Sequence, residues 1–231
     1  MPAEAKSVSI DVSANTRVSG LLIAPKDGRA CYVLAHGAGA GMTHPAMAAV
    51  ANELAPRGIA TLRYQFPYME AGGKRPDPPK VAHAAVRAAV AAAARLLPDL
   101  PIVAGGRSFG GRMTSQAQAA DPLPGVRGLA FLGFPLHPAN KPARERGEHL
   151  FEVKIPMLFL TGTRDALAAL DLLQPLCAEL GKRATLTLFT DADHSFHVPA
   201  RSGRTDAEVR GDILNALVTW IEGVVGPKSA L

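Results

Sequence analysis

The chain has 231 residues, 48% of them hydrophobic and 19% charged, and its formal net charge is +5. That length fits one α/β domain, and no linker-like stretch divides it, so we predict a single domain over residues 1–231. The 25 lysines and arginines form no dense run and are not interleaved with aromatic residues, which argues against nucleic-acid binding. The two cysteines, Cys31 and Cys177, are too few for a disulfide framework.

Export and membrane signals are missing from the sequence pattern. Residues 1–13 lack the apolar core of a signal peptide, and no apolar run approaches the length that spans a bilayer. We therefore expect a cytoplasmic protein without membrane contact.

Short apolar runs and longer helical segments alternate along the chain. The predicted strands are residues 7–12, 16–24, 30–35, 59–64, 101–104, 126–133, 155–161 and 184–189. The predicted helices are residues 45–56, 80–97, 109–120, 166–180 and 205–225. This alternation predicts an α/β fold whose mostly parallel central sheet carries helices on both faces, after an antiparallel start. Ligands of such sheets bind beyond the carboxyl ends of the strands.

The first candidate functional loop is the glycine-rich stretch 36–41, HGAGAG, which follows a predicted strand. Its spacing fits neither G-x-G-x-x-G nor G-x-x-x-x-G-K-[ST], which argues against a phosphate cradle. We interpret it as an oxyanion loop in which the backbone N–H of Ala38 is a donor, with a plain flexible turn as the alternative. The long loop that follows the strand 59–64 contains aromatic residues and is interpreted as a wall of a pocket.

The residues Gly106-x-Ser108-x-Gly110 fall on the turn between a predicted strand and a predicted helix. This is the context that a G-x-S-x-G nucleophile elbow requires, because the turn is strained and its flanking residues must lack Cβ atoms. The backbone N–H of Phe109 would then be the second oxyanion donor. An ordinary glycine turn is the alternative, since short glycine motifs also arise by chance.

Two further reactive residues follow later strands, and the chain order is Ser108, Asp165, His194. This is the order of the α/β-hydrolase triad. His194 would accept the Ser108 proton and return it to the leaving group, while Asp165 would orient the imidazole and stabilise its charged form.

Each of these assignments has a rival in the sequence. Asp191 and Asp193 could replace Asp165 as the acid, but neighbours on one loop seldom turn back onto the same imidazole. His197 competes with His194, which comes sooner after the strand. The two histidines could suggest a metal, but no acidic or cysteine partner stands at ligand spacing, so neither a metal nor another cofactor is predicted. Asp165 could also cap the helix predicted after it.

Several motifs along the chain resemble those of a known family. They are HGAGAG at 36–41 with His44-Pro45, RYQFPY at 63–68, RPDP at 75–78, GGRSFGGR at 105–112, PLHP at 135–138, GTRD at 162–165 and DHSF at 193–196. Together they are similar to the signatures of a dienelactone-hydrolase-like branch of the α/β-hydrolases. That branch includes a testis-expressed protein and the third subunit of a non-specific-lethal histone acetyltransferase complex. The resemblance implies the α/β-hydrolase fold.

The resemblance implies less about function. Members of the branch are mostly predicted hydrolases, and at least one relative is a complex subunit. The nucleophile of the dienelactone hydrolases proper is cysteine, so Ser108 does not imply their lactone substrate. Asn140 also departs from the family pattern, which has glycine in the loop after His137.

The connection between the strands predicted at 126–133 and 155–161 leaves little room for a cap domain, so we expect an open site. The residues expected to line it share a position in loops or at strand ends near the triad. The apolar ones are Met42, Tyr64, Phe66, Phe134 and Leu136, and the polar ones, which could meet an acidic group, are His137 and Arg107.

The sequence thus predicts a serine hydrolase that cleaves a small carboxylic ester, with no cofactor. Thioesterase, peptidase and acyltransferase chemistry would use the same residues. A binding or scaffold protein that keeps the fold without catalysis is the alternative from another class, although an intact nucleophile, base and acid argue against it.

Overall fold

The structure, a computed structural model, describes residues 4–226. Its strands are β1 (Lys6–Ser13), β2 (Thr16–Ile23), β3 (Ala30–Ala35), β4 (Ile59–Tyr64), β5 (Ile102–Arg107), β6 (Val126–Leu132), β7 (Met157–Gly162) and β8 (Ala184–Phe189). Its α-helices are α1 (Pro45–Leu54), α2 (Pro67–Glu70), α3 (Pro79–Leu96), α4 (Phe109–Ala120), α5 (Leu170–Leu180) and α6 (Asp206–Val225). Short 3₁₀ helices occur at Ala55–Arg57, Glu145–Glu152, Gly181–Arg183 and Ala200–Ser202.

The eight strands form one sheet in the order β1-β2-β4-β3-β5-β6-β7-β8. The hairpin partners β1 and β2 are antiparallel, as are β2 and β4, whereas the six strands from β3 to β8 run parallel to one another. The predicted α/β class, with an antiparallel start and a mostly parallel sheet, is therefore confirmed. The prediction of a single domain over residues 1–231 reaches beyond the described residues at both ends and stays a prediction.

Helices cover both faces of the sheet and create two apolar layers. Residues of α3, α4 and α5 belong to one core cluster, and residues of α1 and α6 belong to the other. The alanines of α3 are buried, among them Ala82, Ala85 and Ala89. Because these side chains are small, α3 lies close to both the sheet and α4. The interpretation of this alanine-rich segment as structural cover agrees with its place in the core.

The largest difference from the predicted elements is at α5, which begins at Leu170 and not near residue 166. The preceding residues are held in a turn, because Leu167 N–H donates to a carboxylate oxygen of Asp165 and Ala169 N–H donates to His137 Nε2. Asp165 is therefore not the N-cap of α5, a position that Ala169 occupies. The short helix α2 was also not predicted, because four residues are too few to show helical periodicity.

The connection between β6 and β7 contains only the 3₁₀ helix Glu145–Glu152, so the predicted absence of a cap domain is confirmed. Asn140, in this connection, has a φ of 59°, a left-handed conformation in which glycine is common and asparagine is tolerated. In residues 4–226, none of the helices combines the length and the apolarity needed to span a bilayer.

Candidate active site

The turn between β5 and α4 places Ser108 at the carboxyl edge of the sheet. Ser108 has φ 49° and ψ −117°, a conformation that costs energy for a residue with a Cβ atom. Its N–H donates to Leu132 O at the end of β6, and its carbonyl accepts from Arg112 N–H in the first turn of α4. The hydroxyl is thereby directed away from the helix, as in the nucleophile elbow that the sequence predicts.

Glycine is required at both flanking positions of this turn. A Cβ atom at Gly106, whose φ is 151°, would lie 2.3 Å from Ala35 O. A Cβ atom at Gly110 would lie 2.5 Å from His36 O. Both distances are far inside van der Waals contact, so the close approach of β3 to the β5–α4 turn depends on these two glycines.

The structure brings Ser108, His194 and Asp165 together. His194 Nε2 lies 2.8 Å from Ser108 Oγ, and His194 Nδ1 lies 2.8 and 2.9 Å from the two carboxylate oxygens of Asp165. An ionised carboxylate can only accept, so Nδ1 carries the proton and Nε2 is free to accept from the hydroxyl. The side chain of Asp165 is fully buried and that of His194 is 20% exposed, so solvent reaches the imidazole and not the carboxylate.

The rival acids and base have other partners. Asp193 accepts from the N–H groups of Ser195 and His197, which shapes the loop that carries His194. Asp191 adopts a positive φ and its N–H donates to Thr163 Oγ1.

His197 is exposed and pairs with Asp206, whose carboxylate raises the pKa of the imidazole. Within residues 4–226, no group of three or more His, Cys, Asp or Glu side chains is arranged to hold a metal ion.

The two predicted oxyanion donors lie beside Ser108, since Ala38, Ser108 and Phe109 line one cavity. The N–H groups of Ala38 and Phe109 have no hydrogen-bond partner in the described part of the chain. The peptide after Ala38 is held in place because the hydroxyl of Tyr68 donates to Ala38 O at 2.8 Å. The loop and the start of α4 therefore each present one free donor beside Ser108.

The side chain of His36 also holds this loop in place. It is fully buried, its Nδ1 donates to Gly37 O at 2.7 Å, and its Nε2 accepts from Phe66 N–H at 3.0 Å. Burial lowers the pKa of His36 and so favours the neutral imidazole. Only the neutral ring has one nitrogen that donates and one that accepts. The imidazole thus joins the glycine-rich loop to the segment after β4.

Further polar contacts to this loop come from Arg63 and Gln65 of the motif at 63–68, two residues to which the sequence analysis assigned no role. Gln65 accepts from Met42 N–H, and Arg63 donates to Met42 O. Met42 itself was predicted to line the site, but it is buried and lies outside the set of cavity-lining residues. Arg63 and Gln65 therefore hold the backbone at the end of the glycine-rich loop, a role that was not predicted.

The cavity in front of Ser108 has a volume of about 350 Å³. Besides the three residues already named, side chains from the long loop before α3, from α4 and from the segments after β6 and β7 line it. They are Pro76, Asp77, Pro79, Arg112, Met113, Pro135, Arg146 and Leu167. The long loop was predicted to form a pocket wall, and its residues 76, 77 and 79 lie there.

Four of the predicted wall residues are core residues instead. Tyr64, Phe66, Phe134 and Leu136 have at most 1% of their surface exposed, and none of them lines the cavity. The physical reason is that aromatic and leucine side chains at the strand ends turn under the loops. Phe66 and Phe109, for example, pack edge to face at 5.2 Å.

The two predicted polar wall residues also lie elsewhere. His137 is buried, its Nδ1 donates to Pro138 O, and its Nε2 accepts from Ala169 N–H, so both nitrogens hold backbone. Arg107 is half-buried at the end of β5, where burial lowers its pKa and the carboxylates of Asp193 and Asp165 oppose that effect. Neither residue lines the cavity at Ser108.

A second serine–histidine contact occurs further along α4. Ser115 Oγ lies 2.7 Å from His149 Nε2 and donates to Arg112 O. Ser115 is fully buried in the helix, and no carboxylate of the described residues hydrogen-bonds to His149. Burial, helped by the charge of Arg112, lowers the pKa of His149 to about 4.

An eight-stranded sheet of this order, with a serine on the turn from a central strand to a helix, defines a protein of the α/β-hydrolase fold. A family model described as an alpha/beta hydrolase domain matches residues 28–222. The chain belongs to this family, as the sequence motifs predicted.

Solved structures confirm the fold, including its likeness to dienelactone hydrolase. Dienelactone hydrolase from Anabaena variabilis is 20% identical, with a TM-score of 0.77 over 97% of this chain and 99% of that one. A serine hydrolase without lid from Xanthomonas campestris is 19% identical, with a TM-score of 0.72 over 95% and 96%. An esterase from Pyrococcus furiosus is 17% identical, with a TM-score of 0.73 over 97% and 94%. The fold and the family together support a hydrolase.

Proposed function

We propose that this protein is a serine hydrolase that cleaves a small carboxylic ester through an acyl-enzyme on Ser108. The observation that carries the proposal is the unbroken series of hydrogen bonds from Ser108 Oγ through His194 to the buried carboxylate of Asp165. This series opens onto a cavity of about 350 Å³, which suits a small substrate.

The geometry suits acyl transfer in two steps. Ser108 Oγ attacks the ester carbonyl carbon while His194 Nε2 takes the hydroxyl proton, and the carbonyl electrons move to oxygen. When the tetrahedral intermediate collapses, the bond to the alcohol oxygen breaks and His194 returns the proton to the departing alcohol. A water molecule, deprotonated by His194, then attacks the acyl-enzyme and releases the acid and Ser108.

The developing oxyanion would be bound by the N–H groups of Ala38 and Phe109. Each is unpaired in the described structure and lines the cavity with Ser108. A single donor of this kind contributes roughly 3 to 4 kcal/mol to transition-state stabilisation. Tyr68 and His36 act on this step indirectly, because they hold the loop that contains Ala38.

The choice of an ester as the substrate is supported by the esterase among the similar structures. A thioesterase, peptidase or acyltransferase would use the same three side chains. A non-catalytic scaffold is disfavoured by the strained φ of 49° at Ser108, which costs stability and contributes nothing to a scaffold.

Labelling with a fluorophosphonate tests the proposal directly. We expect the folded protein to be labelled once, with the adduct on Ser108 in a peptide digest, and we expect p-nitrophenyl acetate to be hydrolysed. Ser108→Ala should abolish both, whereas the matched control Ser115→Ala should keep both. If folded wild-type protein is neither labelled nor active on p-nitrophenyl esters, the hydrolase proposal is wrong.

A further inference from the structure

Two arginine side chains without an acidic partner line the cavity beside Ser108. Arg112 lies in the first turn of α4, where its backbone N–H donates to Ser108 O, so it is one helical turn from the proposed nucleophile. Arg146 comes from the 3₁₀ helix Glu145–Glu152 in the connection between β6 and β7. Two separate parts of the chain thus deliver a guanidinium group to the same cavity.

The guanidinium of Arg112 packs against an aromatic ring but makes no hydrogen bond within the described structure. It lies over the ring of Phe109, with 5.9 Å between Cζ and the ring centroid. Its Nε is buried and has no hydrogen-bond partner in the described residues. Its terminal nitrogens make no hydrogen bond or ion pair within residues 4–226 either. Arginine is seldom buried without such partners, so a group that is not part of the protein is expected to supply them.

A neighbouring arginine shows that pairing is possible in this segment. Arg144 donates to both carboxylate oxygens of Glu179, at 2.9 and 2.7 Å, and also contacts Glu148. Arg146, two residues later, has no ion pair among the described residues and faces the cavity instead. Arg144 is therefore paired with a carboxylate, whereas Arg146 faces the cavity, although both lie at the start of the same 3₁₀ helix.

The charges around the cavity are unbalanced. Asp77 is the one carboxylate among the lining residues, and its Oδ2 accepts from Tyr68 N–H. It forms no ion pair with Arg112 or Arg146 within the described structure. Burial lowers the pKa of Arg112, and the positive charge of Arg146 lowers it further. An anion placed between the two guanidinium groups would relieve this repulsion and fill their unused donors.

We propose that Arg112 and Arg146 form an anion subsite and that the substrate is an ester that carries a carboxylate or phosphate group. This inference rests on the proposed function, because it assigns the substrate class of the same site. Arginine suits the role, since its planar guanidinium donates two parallel hydrogen bonds to either group. The predicted polar contacts, His137 and Arg107, would not form this subsite, because neither lines the cavity.

Matched ester pairs test the inference, each comparing a charged ester with a neutral one that has the same scissile ester bond. The first pair places the carboxylate on the acyl part: the mono-p-nitrophenyl ester of adipic acid is compared with its methyl ester. The second places it on the alcohol part, with 4-acetoxybenzoate and its methyl ester. The third replaces that carboxylate with phosphate, using 4-acetoxyphenyl phosphate and 4-acetoxyphenyl methyl ether. We expect kcat/KM for the charged member of at least one pair to be about tenfold or more above that of its neutral partner.

Three variants assign the preference to residues. Arg112→Gln and Arg146→Gln should each lower the charged-to-neutral ratio of kcat/KM by about tenfold. Arg95→Gln is the matched control, because Arg95 is an exposed arginine near the far end of α3 and should leave the ratio unchanged. Added salt should also reduce the wild-type ratio, since it screens the attraction.

The outcomes separate this inference from the proposed function. A preference in one pair identifies the charged group and the side of the ester that carries it. Ratios near one for all three pairs, with Ser108 still labelled and neutral esters still cleaved, would overturn the anion subsite and leave the hydrolase proposal intact. An unchanged ratio in Arg146→Gln would likewise overturn it, even if Arg112→Gln failed to fold.

Discussion

Two serine–histidine pairs occur along the same helix, one at its N-cap and one within it, and their contact distances are almost equal. The distance from Oγ to Nε2 is 2.8 Å for Ser108 and His194, and 2.7 Å for Ser115 and His149. The distance alone therefore cannot identify the proposed nucleophile.

The surroundings of the two pairs differ in every feature that nucleophilic catalysis needs. Ser108 lies on a strained turn at a cavity, whereas Ser115 is buried inside α4. His194 contacts the carboxylate of Asp165, whereas the nearest charged neighbours of His149 include Arg112. A carboxylate stabilises the imidazolium that forms during proton transfer, and a guanidinium destabilises it. The charged group beside the imidazole, a carboxylate or a guanidinium, therefore decides which histidine can act as a base.

The largest expected effect comes from removing each histidine in turn. We expect His194→Ala to lower kcat for p-nitrophenyl acetate by about 10⁶-fold, because the hydroxyl loses its base. His149→Ala should lower kcat by less than about tenfold, since this side chain contacts Ser115 and Phe134 and does not line the cavity at Ser108. Steady-state kinetics on both variants make the comparison, and equal losses would mean that the two pairs do not have different roles.

Replacing the acid is expected to have the next largest effect. Asp165→Asn should lower kcat by about 10⁴-fold, because the amide cannot hold the Nδ1 proton in place or stabilise the imidazolium. Asp193→Asn is the matched control: an amide oxygen still accepts from Ser195 and His197, so most activity should remain. A larger loss in Asp193→Asn than in Asp165→Asn would reverse the assignment of the acid.

Replacing a glycine by alanine should destabilise the turn at Ser108, unlike the same replacement in an ordinary helix. Gly110→Ala should lower the free energy of unfolding by about 3 kcal/mol or more, because its Cβ atom would meet His36 O at 2.5 Å. Gly211→Ala, inside α6 with no heavy atom within 4 Å of the added Cβ, should raise stability by about 0.5–1 kcal/mol. Urea unfolding of both variants gives the two values, and similar losses would contradict this account of the turn.

The smallest expected effect concerns the pH dependence of stability at the Ser115 pair. Unfolded His149 binds a proton near its ordinary pKa of 6.5, whereas the folded side chain does so only at about 4. The unfolded state therefore binds more protons between these values, and stability falls as the pH falls through that window. The loss from this residue is at most about 3 kcal/mol.

The comparison of wild type with His149→Gln isolates this contribution. His36 and His83 also have lowered pKa values and add to the slope in both proteins. We expect the glutamine variant to lose less stability than wild type between pH 6.5 and 4 in denaturant titrations. Identical slopes would show that His149 does not titrate as its burial and its cationic neighbours predict.

Local patterns in the sequence determined much of the candidate site. The bounds of β3, β4, β8 and α4 agree with the predicted ranges. The elbow at Ser108 was predictable because glycine two residues before and two after a serine, between a strand and a helix, has a local steric cause. Asp165 and His194 could be proposed because both follow apolar runs, and the carboxyl ends of parallel strands share one edge.

Only the tertiary structure decided which side chains face the cavity. Tyr64, Phe66 and Phe134 are apolar residues at strand ends, and their sequence context is the same whether they turn outward or into the core. Arg146 is separated from Ser108 in the chain by α4 and β6, so no local pattern could place it beside Arg112. The end of a strand and a tight glycine turn are local properties that a short stretch of sequence can reveal. The wall of a cavity depends instead on how loops that are distant in the chain pack together, and no short-range pattern in the sequence reports that packing.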